Sequence, residues 1–481
     1  MKTSVRLGLV LVAFACAGLR PVSADSLDDT IIALMQKRNV PGLSLAVVKD
    51  GKIVRARGYG VVEKGGAPVT ADTLFMAGSV SKPVAAFAAM RLVEAGKLSL
   101  DDDVNGALKS WKVPENEFTK TEKVTLRRLL SHTAGMTVHG FRGYAVTEEK
   151  PTLIQVLNGE KPSNSPAIRV DVLPGSIFRY AGGGYTVMQQ LVIDVTGEPS
   201  YPTVLRDTVL KPLGMTASTY EQPLPPALAA KTATGQTQNG KPVPGRWHVY
   251  PEMAAAGLWT TASDLARFII GMQDALAGKP GALIKPETAR LMLTPVKGDY
   301  GLGFQIVYTG KKQRFSHNGR DEGFDTALVG TSETGFGAVV MINANENSKL
   351  LNQVLLAVVT EYQWPDFQPY KAPVFTPIED KEPEVTARVK AIFEQAAKGK
   401  FEREWFTEKM AAVLEAQVPR PEAMQMLQAW GALKAIDLLG KKADGGMRSY
   451  RYHLVYENDG IVVNCVYDQD GKIAGLNFQP E

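Results

Sequence analysis

Alternating and helically spaced apolar residues predict the elements of one large folded unit. Apolar and polar residues alternate on both sides of residues 49–52, which predicts a β-hairpin with its turn at Asp50 and Gly51. An Ala-rich helix is predicted over 79–95, ending at Gly96. Other predicted helices cover 28–37, 126–130, 185–195, 263–277 and 351–362, and predicted strands cover 314–316, 325–330 and 338–343. Because strands lie at both ends of a helix-rich middle, we expect one sheet built from segments far apart in sequence.

A proline-rich segment divides the chain. Five prolines lie between residues 365 and 383 among polar side chains, a density that neither a helix nor a sheet tolerates. Beyond it, the pattern predicts helices over 385–397 and 402–416 and then strands over 450–456, 461–467 and 473–478, with turns at 458–460 and 468–471. We therefore predict a large domain over 25–364, a linker over 365–383 and a small α+β domain over 384–481.

The N-terminal 24 residues have the pattern of a secretory signal peptide. Basic residues precede an apolar run over 7–19, and a small residue, Ala24, marks the expected cleavage site. That run is too short to span a bilayer. Cys16 could carry a lipid, but Ala13 and Phe14 suit that signal poorly. Cleavage leaves Cys465 as a single cysteine without a disulfide partner, so we expect a periplasmic or secreted protein.

Composition and charge exclude some function classes. The chain is 44% hydrophobic and 22% charged, which is typical of a folded soluble protein. Without residues 1–24 it carries 51 basic and 50 acidic side chains, so it is not a globally basic nucleic-acid binder. It contains no GxSxG or HExxH motif and no phosphate-binding glycine loop. The histidines His139, His248 and His453 share no metal-ligand spacing, so we predict neither a metal nor another cofactor.

Ser79 and Lys82 form the first candidate catalytic pair. A spacing of three residues on a helix brings their side chains within hydrogen-bond distance. A lysine among alanines loses hydration, which disfavours its charged form and lets it act as a base toward the serine. The alternative is that Ser79 only caps the helix and that Lys82 is a solvated residue of its first turn.

Further motifs extend this pair. The sequence YAGGGY covers residues 180–185, and SHNG covers residues 316–319. In this order and at these separations, SxxK, YxG and HxG resemble the motifs of the penicillin-recognising serine hydrolases, in particular the branch of class C β-lactamases, DD-peptidases and esterases. Segments 129–135 and 255–265 also resemble that family, and the resemblance covers residues 26–362. It implies a mixed α/β (α+β) fold of the β-lactamase/transpeptidase type, with an antiparallel sheet flanked by helices and an all-helical lobe.

The resemblance also implies residue roles. Ser79 would be the nucleophile, Lys82 its activating partner and Tyr180 the proton shuttle to the leaving group. The backbone N–H groups of Ser79 and of Arg320, which directly follows Gly319, would form the oxyanion hole. Acyl transfer needs such an activated hydroxyl, a proton donor and oxyanion donors.

Two positions depart from the family pattern. Gly182 stands where many relatives have asparagine, and its hydrogen cannot contact Lys82 or a substrate amide; the glycine run could instead let the substrate lie against the main chain. His317 replaces a lysine, and its ring is mostly neutral at pH 7 with an ordinary pKa near 6.5. We expect weaker binding of carboxylated substrates, and we expect protonation of His317 at acidic pH to offset part of this loss.

Other ring-bearing residues allow two interpretations. His132 is expected to pack or to form a hydrogen bond rather than to take part in catalysis. Trp247, Tyr250 and Trp259 could line the cleft or lie in the core. The C-terminal domain loosely resembles NTF2-like modules and could bind a ligand, cover the cleft or support an oligomer.

The sequence thus predicts an exported serine hydrolase that forms an acyl-enzyme. The lost asparagine and lysine favour an esterase or a D-amino-acid peptidase. The alternatives are a class C-like β-lactamase, a DD-carboxypeptidase or a slowly deacylating penicillin-binding sensor. The expected partner is a small ester, peptide or β-lactam, with no nucleic acid and no membrane span.

Overall fold

A computed structural model describes most of the chain, namely residues 26–237, 240–309, 311–345, 347–365, 375–420, 423–424, 427–428, 430–457 and 460–480. The α-helices are α1 Ser26–Lys37, α2 Ser81–Glu94, α3 Val104–Ala107, α4 Glu117–Thr121, α5 Leu126–Leu130, α6 Leu153–Asn158, α7 Gly182–Thr196, α8 Tyr201–Leu205, α9 Pro226–Ala229, α10 Met253–Ala256, α11 Ala262–Leu276, α12 Pro286–Met292, α13 Ser348–Glu361, α14 Pro383–Ala396 and α15 Glu408–Gln417. Short 3₁₀ turns cover Gly78–Val80 and Arg403–Trp405, and a π turn covers Arg206–Leu210.

The strands form antiparallel sheets. They are β1 Gly42–Lys49, β2 Lys52–Gly60, β3 Phe75–Met76, β4 Tyr144–Ala145, β5 His248–Val249, β6 Trp259–Thr260, β7 Gln305–Thr309, β8 Lys312–Asp321, β9 Phe324–Thr331, β10 Gly337–Ile342, β11 Leu433–Asp444, β12 Met447–Tyr456, β13 Gly460–Tyr467 and β14 Ile473–Pro480. The main sheet has the order β2-β1-β10-β9-β8-β7, and β1 pairs with β10 so that Leu43 lies opposite Ile342. The predicted assembly of one sheet from distant segments is therefore confirmed.

The main sheet has a hydrophobic core on each face. On one face, α1 and α13 contribute Ile31 and Val354 to a cluster with the strand residues Leu45 and Val340. On the other face, α11 packs against β1, β9 and β10, and its cluster continues through α2 into the other helices. Because α2 is buried along nearly its whole length, the residues at its N-terminus are held between the sheet and the helical region.

A separate C-terminal sheet follows the predicted boundary. Its order is β11-β12-β13-β14, and it shares a core with α14 and α15 in which Cys465 is buried. Strand β11 was not predicted, because most of its side chains are exposed or half-buried and give no clear alternation. The helix predicted over 402–416 begins only at Glu408, where Thr407 caps it. Residues 366–374 of the linker, 458–459 of a predicted turn and the N-terminal segment lie outside the described residues, and the NTF2-like resemblance stays a prediction.

The mixed α/β architecture with antiparallel sheets flanked by helices confirms the predicted fold class. In the part of the chain that the structure describes, no helix is both long enough and apolar enough to span a membrane.

Candidate active site

Ser79 and Lys82 meet at the start of α2. The 3₁₀ turn Gly78–Val80 runs directly into the helix, so Ser79 precedes Lys82 by about one turn. Lys82 Nζ lies 2.8 Å from Ser79 Oγ and donates a second hydrogen bond of 2.8 Å to the Ala255 carbonyl oxygen. Ser81 fixes the turn, because its hydroxyl donates to the Gly78 carbonyl and accepts from the Leu258 N–H. The predicted contact between the serine and the lysine is therefore present.

The surroundings of Lys82 favour its neutral form. Its side chain is buried, and loss of hydration lowers its pKa to about 7, although the charge of Asp321 acts in the opposite direction. A substantial fraction of the amine is therefore unprotonated near neutral pH, and its lone pair can accept the Ser79 proton. This excludes the alternative of a solvated first-turn lysine.

Tyr180 lies beside this pair, and its phenol group is protonated. Burial raises its pKa above the ordinary value, while a side-chain hydrogen bond with Ser79 lowers it in part. The Lys82 Nζ atom is 5.0 Å from the centre of the Tyr180 ring. The three predicted catalytic side chains are thus brought together by the N-termini of α2 and α7.

His132 positions Tyr180. Its ring packs 4.1 Å from the Tyr180 ring, centre to centre, and its Nδ1 accepts a hydrogen bond of 3.1 Å from the Ala181 N–H. Accepting this bond requires an unprotonated Nδ1, and burial together with the nearby Lys82 lowers the pKa of His132 well below its ordinary value. The predicted packing and hydrogen-bonding role of His132 is confirmed.

Strand β8 passes very close to the 3₁₀ turn that contains Ser79. A Cβ atom on Gly319 would lie 1.9 Å from the Ala77 carbonyl oxygen and 3.0 Å from the Ser79 nitrogen. A Cβ on Gly78, whose φ is +53°, would lie 2.4 Å from the Arg320 nitrogen. Two glycines thus bring the backbone nitrogens of Ser79 and Arg320 to the same place, where two N–H donors can serve one oxygen atom.

Substituting alanine for Gly319 tests this close approach. The added methyl group would overlap backbone atoms, so Gly319→Ala is expected to reduce the free energy of unfolding by about 1–3 kcal/mol. Thermal unfolding of both proteins measures this change. Gly106→Ala is a matched control, because a Cβ on Gly106 meets nothing within 4 Å. Equal unfolding temperatures for Gly319→Ala and the control would contradict the packing described.

The His317 ring is neutral, and its pKa lies further below neutral pH than the ordinary value expected from the sequence. Burial and the nearby Lys82 lower its pKa to about 3, and its Nδ1 lies 2.6 Å from the Asn318 carbonyl oxygen. The prediction that mildly acidic pH would protonate His317 is therefore wrong, because the ring is desolvated beside a second basic group. No cation arises at this position between pH 5 and pH 8.

Gly182 packs against protein. A Cβ atom there would lie 3.0 Å from Phe141 and 3.2 Å from the His139 carbonyl oxygen, so the neighbouring chain occupies the space suggested for substrate. The glycine allows α7 to begin three residues earlier than predicted. We therefore leave Gly182 out of the proposed site. Three aromatic residues that could have lined the cleft are also buried in the core: Trp247, Tyr250 and Trp259.

Two buried carboxyl groups near Ser79 and Lys82 were not predicted from the sequence. Asp321 ends β8, and burial raises its pKa well above the ordinary value, against the effects of Lys82 and the Gly78 backbone. Glu252 precedes α10, and burial raises its pKa to about 8. Neither lies in a motif that sequence spacing connects with Ser79. No group of three His, Cys, Asp or Glu side chains suited to a metal ion occurs in the described part of the chain.

Ser79 and Tyr180 open onto a cleft of about 570 Å³. Its lining includes five of the seven predicted site residues, namely Ser79, Tyr180, His317, Gly319 and Arg320, and it includes neither Lys82, which is buried behind Ser79, nor Gly182. Sequence reasoning missed several other lining residues: His139, Phe178, Asp299, Tyr300, Gln305 and Asp325. They come from loops and strand ends that carry no motif.

A comparison with models of protein families shows which family the chain belongs to. A family model described as beta-lactamase matches residues 27–359. The chain belongs to this family. It is 28% identical over 331 residues to penicillin-binding protein 4 of Amycolatopsis lactamdurans, covering 65% of this chain and 83% of that protein. It is 27% identical over 317 residues to the putative penicillin-binding protein PbpX of Bacillus subtilis, covering 64% and 72%. The predicted family and enzyme class, a β-lactamase-related serine hydrolase, are confirmed.

Solved structures share the β-lactamase-family fold. An octameric penicillin-binding protein homologue from Pyrococcus abyssi covers 93% of this chain and 94% of its own, with a TM-score of 0.61 and 21% identity. A D-amino acid amidase from Ochrobactrum anthropi SV3 covers 70% and 100%, with a TM-score of 0.56 and 20% identity. D-alanine carboxypeptidase AmpC from Burkholderia cenocepacia covers 69% and 99%, with a TM-score of 0.53 and 24% identity.

Proposed function

We propose that this β-lactamase-family hydrolase cleaves an ester or an amide through an acyl-enzyme on Ser79. The observation that carries the proposal is the contact of 2.8 Å between Lys82 Nζ and Ser79 Oγ in a site where burial lowers the lysine pKa to about 7. A serine hydroxyl is a weak nucleophile until a neighbouring base accepts its proton. Lys82 has both the position and the protonation state to be that base.

The proposed reaction transfers protons between Ser79, Lys82 and Tyr180. As Ser79 Oγ attacks the substrate carbonyl carbon, its proton passes to Lys82. The Tyr180 hydroxyl then donates a proton to the leaving group and recovers one from Lys82, so the bond to the leaving group breaks without releasing an anion. Deacylation uses the same transfers in the opposite direction. Water attacks the acyl carbon and gives its proton to Tyr180, a proton passes from Tyr180 to Lys82, and Lys82 returns a proton to Ser79 as the acyl bond breaks. A phenol that stays protonated, as burial ensures here, is suited to this donor step.

The negative charge that develops on the carbonyl oxygen needs donors. We propose that the backbone N–H groups of Ser79 and Arg320 supply them, because Gly78 and Gly319 bring these two chain segments into contact. Backbone donors are fixed in place by the turn and the strand, so they need no reorganisation during the reaction.

The charges around the cleft support a substrate without a carboxylate near the scissile bond. His317 is neutral, and the Arg320 guanidinium is held by Asp325, with Nε donating to Oδ1 at 2.8 Å. Carboxylate recognition would need a cation that is not already neutralised. We therefore favour an esterase or a hydrolase of D-amino-acid derivatives. The D-amino acid amidase of similar fold is consistent with the second choice.

The penicillin-binding relatives support a second candidate function. A β-lactamase, a DD-carboxypeptidase and a slowly deacylating penicillin sensor would each become acylated on Ser79. They differ in how fast water releases the acyl group, so a burst of product without steady release identifies the sensor.

A substrate screen tests these choices. The protein is incubated with nitrophenyl esters, D-alanyl peptides, D-amino-acid amides and a chromogenic cephalosporin, with Ser79→Ala as the control. We expect steady turnover of neutral esters or D-amino-acid amides that is absent in the variant. Efficient cephalosporin hydrolysis would favour the β-lactamase alternative, and turnover that survives in Ser79→Ala would refute the acyl-enzyme.

We also propose that residues 25–364 and 384–481 are separate domains. Their cores share no residue, and each has its own sheet. A chain ending at Pro365 is expected to unfold cooperatively and to keep fluorophosphonate labelling of Ser79. Circular dichroism and labelling measure both properties, and an unfolded or unlabelled product would contradict the division.

Export is a further part of the proposal. The basic start, the apolar run and Ala24 support cleavage by a signal peptidase. N-terminal mass analysis of the protein from its natural source tests this, and an intact Met1 would overturn it.

A further inference from the structure

We propose that Asp299 binds an ammonium group of the substrate, so that the cleft selects amino-acid amides or esters with a free amine. This inference deepens the proposed function and rests on it. Asp299 lines the same cleft as Ser79, and its carboxylate is exposed there. It comes from the loop before β7, outside every motif of the family resemblance.

The charges of the cleft single out Asp299. Among the described residues that line the cleft, the aspartate and arginine side chains are those of Asp299, Arg320 and Asp325. Arg320 and Asp325 neutralise each other through their hydrogen-bonded ion pair. His317 is uncharged, and burial lowers the pKa of His139 below its ordinary value. The cleft lining therefore keeps a net charge of about −1, located on Asp299.

The partners of Asp299 leave that charge in place. Gln305 Nε2 donates a hydrogen bond of 2.9 Å to Asp299 Oδ2, which orients the carboxylate without neutralising it. Gln305 is in turn paired with Ser316, the residue before His317 in β8. The arginine of the cleft lining, Arg320, pairs with Asp325 rather than with Asp299. A cation brought by the substrate is the group that would complete the site.

An aromatic wall adjoins the carboxylate. The Tyr300 ring lies 5.5 Å from the Phe178 ring and 6.2 Å from the His317 ring, centre to centre. Phe178 is 39% exposed and presents an apolar ring surface at the cleft. An apolar side chain can pack on these rings while the ammonium group faces Asp299, and aromatic faces also attract cations. The chemistry that fits is an apolar amino-acid derivative with an unblocked amine.

A protection experiment tests this assignment at pH 7.0, where the α-amino group, with an ordinary pKa of about 7.7–8.0, is mostly protonated. A fluorophosphonate probe labels Ser79 in the full chain, and two competitors slow the labelling. They are D-phenylalaninamide and the 3-phenyllactamide of the same configuration, in which a hydroxyl replaces the ammonium group. Their inhibition constants are compared in the wild type, in Asp299→Asn and in Glu287→Gln, a control that removes one exposed carboxylate from α12.

We expect the ammonium compound to protect Ser79 about fivefold better than the hydroxyl compound in the wild type. This ratio should fall to about one in Asp299→Asn, remain unchanged in Glu287→Gln and shrink with added salt. Equal protection in the wild type, no protection by either compound, or a ratio that survives in Asp299→Asn would overturn the assignment. If the probe labels Ser79 normally in those cases, the proposed acyl-enzyme still stands. If Ser79 is not labelled at all, the proposed function itself fails.

Discussion

Replacing Ser79 with alanine is expected to abolish covalent labelling and to lower kcat by about 10⁴-fold or more. The change removes the atom that forms the acyl-enzyme, and the other groups of such a unit contribute little without it. Steady-state assays with the best substrate from the screen measure kcat, and peptide mass spectrometry locates the covalent label. A label on another serine would contradict the assignment of the nucleophile.

Replacing Lys82 with methionine is expected to slow acylation by about 10²–10⁴-fold, because Ser79 loses the base that accepts its proton. Methionine keeps the length and the apolar character that a buried position needs, so the fold should survive. Lys97→Met is the matched control, since Lys97 is exposed just after α2. Normal acylation by Lys82→Met, with an unchanged unfolding temperature, would refute the role of Lys82.

The pH dependence of kcat/KM should show an acid limb with an apparent pKa near 7. Neutral Lys82 is the active form, and its fraction falls as pH falls below its pKa of about 7. The rate should therefore decrease about tenfold per pH unit and be about 100-fold lower at pH 5 than at its plateau. A neutral substrate without ionisable groups separates this limb from substrate titration. A rate that stays constant from pH 8 to pH 5 would contradict it.

Asp321 is expected to set the apparent pKa of the acid limb in the pH profile of kcat/KM. Its negative charge raises the pKa of Lys82, so Asp321→Asn is expected to lower the lysine pKa and move the acid limb to lower pH. A purely structural role for Asp321 would change the rate without moving the limb. An unmoved limb in a folded variant would contradict this electrostatic effect of Asp321 on Lys82.

These predictions concern one connected set of charges. Lys82, His132 and His317 are basic groups in a buried site, where Lys82 lowers the pKa of both histidines and His317 lowers that of His132. Burial favours neutral forms throughout, which is why the site can hold a free amine beside a serine near pH 7. Asp299, which lines the cleft, carries the exposed carboxylate on which the proposed ammonium binding rests.

The sequence by itself determined the contact between Ser79 and Lys82, the order of the motifs and much of the secondary structure. The contact of Ser79 with Lys82 depends only on a helical spacing of three, and the hairpin at Asp50 and Gly51 depends on local alternation. Local patterns fix such features because the interacting residues are close in the chain.

The tertiary structure decided the electrostatics and the substrate side of the site. The pKa of His317 falls to about 3 because distant segments bury it beside Lys82, and no local pattern contains that information. The space around Gly182 is filled by Phe141, which lies about forty residues earlier in the chain. Asp299 and Ser79 line the same cleft only because the loop before β7 reaches it. Burial and long-range contacts depend on the packing of the whole domain, so sequence spacing could not predict them.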